Sequence, residues 1–185
     1  MGDNEIILET ERLIFRQNRI EDLDDFCDME ADPEVRRFVG GKPRSREEAE
    51  KRFLPSLKPA TNGLHMWATV LKPGNKYIGR CGIYPHFDAE SNSIPSEASF
   101  GVYIAKAYWG MGLATEAGGV FVKYGFEHLN LDRIVTMIQL GNDASVKVVE
   151  KIGFELIMTE KGEWRDFYHY AIDRHRFYGF LNTVK

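Results

Sequence analysis

A chain of 185 residues, 43% hydrophobic and 28% charged, can bury about 70% of the surface its unfolded form exposes, so a single domain over residues 1–185 needs no metal or disulfide staple. The formal charge of −4 excludes a general nucleic-acid or anionic-membrane surface, where a basic stripe is required, and suits an amine substrate. Cys27 and Cys81 have neither C-x-x-C spacing nor a histidine cluster around them, which excludes a disulfide framework and a zinc site and leaves two reduced thiols.

The opening "MGDNEIILETERL" has early acids and no basic region followed by an apolar core, and no run approaches 18 apolar residues. The expected compartment is the cytoplasm. Lipidation is not expected, because Ile6 stands where the Met-Gly myristoylation pattern needs Ser or Thr. "TERLIFRQ" (10–17) alternates as a first strand. Leu23, Phe26 and Met29 then recur at helical spacing until Pro33 interrupts. "SREEAEKRFLPSL" opens a second helix with Ser45 and Glu48 at capping-box spacing, limited by Pro55. "LHMWATVLK", the turn "PGNK" and "YIGRCGIYPHF" read as an antiparallel hairpin. Residues 86–96 read as a polar loop and 97–105 as a strand. A helix follows over about 113–128, then the strand "RIVTMIQL" and a short helix from Asn142 to the stop glycine Gly153. Two strands around a "KGE" turn and a short tail complete the chain. This order predicts a mixed α/β (α+β) fold, a mostly antiparallel sheet of about six or seven strands flanked by helices.

"YIAKAYWGMGLATEAGGVFVKYGF" (103–126) places two glycines at a strand-to-helix turn. Bare amides at a helix N-terminus make an anion site, because they lack intrahelical partners and the dipole is positive there. The Walker A motif fails, since Leu113 follows Gly112 where a lysine is needed. A dinucleotide fingerprint fails as well: Thr115 stands where Gly or Ala is wanted, and Asp132 precedes its strand.

"YWGMGLATEA" resembles the acetyl-coenzyme A pyrophosphate loop of the GCN5-related N-acetyltransferases (GNAT). Trp109 occupies the place of the usual Arg or Gln, as in the RimJ/RimL-type branch. "ETERLIFRQNRIEDLDDF" and "NDASVKVVEKIGF" are similar to that branch's opening and to its second cofactor motif. The resemblance spans residues 9–174. It implies an acetyl-coenzyme A-dependent N-acetyltransferase without a metal, in which the amides of Gly110, Met111, Gly112, Leu113, Ala114 and Thr115 hold the pyrophosphate. Backbone groups of Val102 and Ile104 would pair with the pantetheine where the sheet splays, and Asn142 would reach it from the opposite strand end. Lys147 and Lys151 would lie near the nucleotide phosphates, although a solvated helix face explains them equally.

For chemistry, the resemblance offers Ser145 as the hydrogen-bond donor to the departing thiolate, against a capping role in the helix begun at Asn142. Glu97 is the candidate base, because it shares a strand face with Ser99, Gly101 and Tyr103. His86 and Asp88 read as exposed loop residues and His169 as a bonded strand residue. Glu116 favours the helix dipole, and Gly118 and Gly119 read as packing positions. Trp67, Phe87, Trp109 and Trp164 could wall a cleft, with core as the default for each. The acceptor expected from the branch is a protein or peptide α-amine. A small amine (polyamine, amino acid or aminoglycoside) and a non-catalytic acyl-coenzyme A sensor are the alternatives, in a monomer or homodimer without membrane or nucleic-acid partners.

Overall fold

Leu13 and Phe15 are fully buried and Ile14 between them is not, the alternation expected of a strand with one face on a core. In the computed structural model, which describes residues 6–60 and 62–183, this segment is β2 (Leu13–Arg16). It pairs antiparallel with β1 (Ile6–Glu9), so the expected strand over 10–17 begins instead with a turn at residues 10–12. The Met-Gly start lies outside the described residues.

The first helical stretch divides in two. α1 (Leu23–Ala31) buries Phe26, Cys27, Met29 and Glu30 and ends before Pro33. The Asp32 carboxylate then accepts the N–H groups of Glu34 at 2.8 Å and Val35 at 3.4 Å, starting α2 (Pro33–Arg36). α3 (Arg46–Phe53) opens on the expected capping box. Ser45 N–H donates to the Glu48 carboxylate at 2.8 Å, and Glu48 N–H donates to Ser45 Oγ at 3.3 Å.

β3 (His65–Leu71), β4 (Lys76–Phe87) and β5 (Ser93–Ile104) form the antiparallel meander. The loop expected at 86–96 shrinks to 88–92, because the Asp88 carboxylate accepts Asn92 N–H at 2.7 Å and closes a tight turn. α4 (Leu113–Glu127) carries the chain over to β6 (Arg133–Gln139), which lies parallel to β5 and therefore needs such a crossover. α5 (Asp143–Ile152) stops at Gly153, whose φ of +106° suits glycine. β7 (Glu155–Glu160) and β8 (Phe167–Asp173) complete an eight-stranded sheet among the described residues, in the order β1-β2-β3-β4-β5-β6-β8-β7. The strand count exceeds the expected six or seven. The expected short tail is a helix, α6 (Arg174–Thr183), because Phe177 is buried against Phe126 with ring centroids 5.5 Å apart.

Alternation along β3 sends Trp67 to one face and Ala68 and Val70 to the other, and each face has its own core. α4 and α5 cover the first through Leu113, Phe121, Phe126 and Val149. α1 and α3 cover the second through Phe26 and Phe53. At Gly118 the helix comes so close that an added Cβ would meet Ile152 Cδ1 inside contact distance and Phe100 Cζ at 3.0 Å. Gly118→Val is accordingly expected to cost about 1–3 kcal/mol in urea unfolding through overpacking; unchanged stability would refute the close approach.

Candidate functional site

Parallel pairing of β5 with β6 covers only Glu97 with Arg133, Ala98 with Ile134 and Ser99 with Val135. Both strands continue beyond that point, β5 to Ile104 and β6 to Gln139, so the sheet splays. Ala105 N–H donates to Ile78 O on β4 at 2.8 Å. Because backbone groups alternate sides along a strand, those of Val102 and Ile104 point away from β4 into the gap.

The gap opens into a cleft of about 430 Å³. Val102 and Ile104 line one side. Trp109, Gly110, Gly112, Leu113, Ala114 and Thr115 line the glycine turn, and Asn142, Ser145, Lys147 and Lys151 come from the start of α5. Gly110 and Gly112 have φ of +75° and +76°, a left-handed backbone that most side chains disfavour. Gly112 is the N-cap of α4 and has no side chain to cap the helix, so the first-turn amides stay bare. The Trp109 indole N–H donates to Ile104 O at 2.7 Å, which staples the turn to the end of β5 and occupies one acceptor position of that carbonyl. Met111 does not line the cleft. It is half exposed, and its carbonyl faces Arg12.

At the start of α5, Asn142 is the capping residue: its Oδ1 accepts Ser145 N–H at 3.3 Å. The Ser145 hydroxyl is therefore not needed for the cap. Among the described residues the cleft lining carries three cationic side chains, Arg37, Lys147 and Lys151, and one acid, Glu34, which pairs with Lys106. The cleft is thus locally basic in a chain of net charge −4, a distribution that total charge conceals.

No residue of the wall formed by Glu34, Val35, Arg37, Phe38 and Val39 was singled out in the sequence. Asp-Pro at 32–33, an N-cap followed by Pro at N1, is the signal that could have found the turn preceding it. A buried charge cluster holds this wall. Glu30, 3% exposed, pairs with Arg36 at 3.2 Å and with Arg44, and Arg80 on β4 stands 3.8 Å away over the Phe26 ring. Burial pulls the Arg36 guanidinium below its ordinary pKa, against the opposing influence of Glu30.

Glu97 lies outside the cleft lining, about 20 Å along β5 from Tyr103, which does line it. Its carboxylate is 3.7 Å from Arg133 and 3.9 Å from His86 Nε2. His86, expected in a loop, belongs to β4, and its Nδ1 lies 3.0 Å from Ser99 Oγ. Tyr84, opposite Ser99 on β4, keeps 37% of its surface exposed, yet desolvation pushes its hydroxyl up to about 12 and it stays a protonated donor at neutral pH. Of the four aromatic candidates Trp109 alone lines the cleft; Trp67 is core, while Phe87 and Trp164 are exposed. Asp88 is spent on its turn, and His169 bonds the Glu160 carboxylate at 2.6 Å. No helix among the described residues is long and apolar enough to cross a membrane.

A family model described as "Acetyltransferase (GNAT) domain" matches residues 12–155. The chain belongs to the GNAT acetyltransferase family. A relative named "Putative ribosomal N-acetyltransferase YdaF", from Bacillus subtilis (strain 168), is 36% identical over 130 residues, 70% of this chain and 66% of its own. A solved GNAT acetyltransferase from Bacillus anthracis superposes with a TM-score of 0.79 at 24% identity, covering 90% of this chain and 98% of the other. The spermidine N-acetyltransferase of Vibrio cholerae, solved with coenzyme A and spermine, gives a TM-score of 0.73 at 20% identity, covering 91% and 99%. The GNAT chain described here is an enzyme of the N-acetyltransferase class, and the mixed sheet flanked by helices is the GNAT fold.

Proposed function

We propose that this GNAT enzyme moves the acetyl group of acetyl-coenzyme A to the α-amine of a protein or peptide N-terminus, by direct transfer in a ternary complex. The observation that carries the reading is the cleft itself: a bare-amide turn, a strand splay and a helix start meet around one locally basic cavity. The donor set fits an elongated pantetheine with phosphates at one end. First-turn amides and Lys147 and Lys151 suit the phosphates, and unpaired backbone groups of Val102 suit the amides of the arm.

When bound, the thioester supplies an activated acyl group: the amine nitrogen bonds the carbonyl carbon, the carbon–sulfur bond breaks, and the thiolate takes a proton. Ser145 is the proposed donor to that sulfur, since the residue lines the cleft and its hydroxyl is free of capping duty. Ser145→Ala is expected to lower kcat about tenfold or more, with little change in acetyl-coenzyme A affinity. Unchanged turnover would remove the role. Where the splay closes, at Ser99, His86 and Glu97 stand in contact outside the cleft lining and are the proposed acceptors of the ammonium proton. A covalent acetyl-enzyme is disfavoured, because burial raises the thiol pKa of both Cys81 and Cys27 and keeps them protonated.

The peptide α-amine is supported by the likeness to the relative named "Putative ribosomal N-acetyltransferase YdaF" and by charge. A polyamine carries several cations and needs unmatched carboxylates, whereas Glu34 is paired with Lys106 and Glu97 faces Arg133. The test is release of coenzyme A thiol with acetyl-coenzyme A and a panel of N-terminal peptides, spermidine, amino acids and aminoglycosides. Turnover confined to peptides is expected; turnover with spermidine alone would transfer the assignment to polyamines.

A further inference from the structure

We propose that Thr10, Arg12 and Glu116 form a brace that sets the peptide orientation of the glycine turn, making Arg12 a positioning residue for cofactor binding from outside the cleft. This rests on the reading of the cleft as the acetyl-coenzyme A site.

Glu116 sits in the first turn of α4 but faces the turn between β1 and β2. Its Oε1 accepts the Thr10 hydroxyl at 2.5 Å and Arg12 N–H at 3.0 Å. Its Oε2 accepts Arg12 Nε–H at 2.7 Å, with Nη2 at 2.6 Å, a two-pronged pairing. Thr10 Oγ1 in turn accepts Leu13 N–H at 3.0 Å, which anchors the brace to β2. Burial alone would raise the Glu116 pKa; the donors Thr10 and Arg12 outweigh it and hold the carboxyl below its ordinary value.

The remaining guanidinium nitrogen carries the consequence. Arg12 Nη1 donates to Met111 O at 2.9 Å, inside the glycine turn. In a trans peptide the carbonyl and the following N–H point in opposite directions. Drawing the Met111 carbonyl out toward Arg12 therefore turns the Gly112 N–H the other way, toward the cleft that Gly112 lines and Arg12 does not. Glycine at 110 and 112 leaves this peptide soft, with φ of +75° and +76°, so an external clamp is what selects one orientation. Lysine cannot replace the clamp, because a single ammonium lacks the planar fork that reaches Glu116 and Met111 together. The brace also joins two segments 104 residues apart, "TERL" near the start of the chain and "ATEA" in α4.

The test is calorimetric titration of acetyl-coenzyme A into the full chain and its Arg12→Ala, Arg12→Lys and Glu116→Gln variants, with circular dichroism and thermal unfolding in parallel. The expected result is a rise of about tenfold in Kd for Arg12→Ala and nearly as much for Arg12→Lys, as losing one charge-assisted hydrogen bond predicts. Saturated kcat and acceptor KM should stay within about twofold, because only the turn is affected. If Arg12→Ala does not fold, the two milder variants carry the measurement. Folded variants that bind as wild type does, with stability alone reduced, would overturn the brace, as would full affinity in Arg12→Lys. Wild-type protein that binds no acetyl-coenzyme A would overturn the cleft reading itself, an outcome separate from failure of the brace alone.

Discussion

Glu30→Gln is expected to destabilise the protein by about 3 to 5 kcal/mol, a large share of the total stability of a domain this size. The reason is asymmetry. Arg36 is 3% exposed and lies 3.2 Å from Glu30, with Arg44 also bonded to it and Arg80 nearby at 3.8 Å. Without the carboxylate, three guanidinium groups converge on a neutral amide, and Arg36 remains a buried charge without its counter-ion. Damage should spread to the site, since Arg36 ends α2 and residues 37–39 behind it wall the cleft. Urea unfolding measures the first effect and acetyl-coenzyme A titration the second. A stability within about 1 kcal/mol of wild type would mean that the cluster is a surface-like ion pair of little weight.

Thr115→Glu should act in the opposite manner, leaving the fold and removing the ligand. Thr115 is partly buried, lines the cleft and lies in the first turn of α4, where a carboxylate is favourable to the helix dipole. The same carboxylate would confront a bound pyrophosphate. At about 4 Å and an effective dielectric constant near 20, one pair of like charges costs about 4 kcal/mol, roughly a thousandfold in affinity. Acetyl-coenzyme A binding should fall by that order while the unfolding midpoint stays near that of wild type. Retained affinity in the folded variant would place the phosphates elsewhere.

Features whose physics is local were legible in advance. The capping box at Ser45 and Glu48, the stop at Gly153 and the antiparallel meander each depend on a few consecutive residues, and each is present. The bare turn at 110–115 was legible for the same reason: glycine at a strand-to-helix junction states its own geometry. The family resemblance added Val102, Ile104, Asn142, Ser145, Lys147 and Lys151, which line the cleft, and Met111, which does not, but it gave neither the wall at residues 34–39 nor what braces the turn. His86 falls in a strand because two twelve-residue strands, β4 and β5, each extend into one end of the polar segment 86–96. The tail became α6 because Phe177 found Phe126 across 51 positions of chain.

By itself the sequence determined the period of most central elements, the caps at Ser45, Asn142 and Gly153 and the backbone that could receive an anion, since these rest on neighbours three or four residues apart. Tertiary structure alone decided which charges meet: Glu30 with Arg36 and Arg44, Glu116 with Arg12, Glu97 with His86 and Arg133. Unlike the i,i+4 pairs along a helix, an ion pair between residues far apart in the chain has no signature in the spacing of its partners, because its energy depends on distance and burial in the folded chain. For that reason the turn could be read from the chain in order, while the Arg12 clamp on it required the fold.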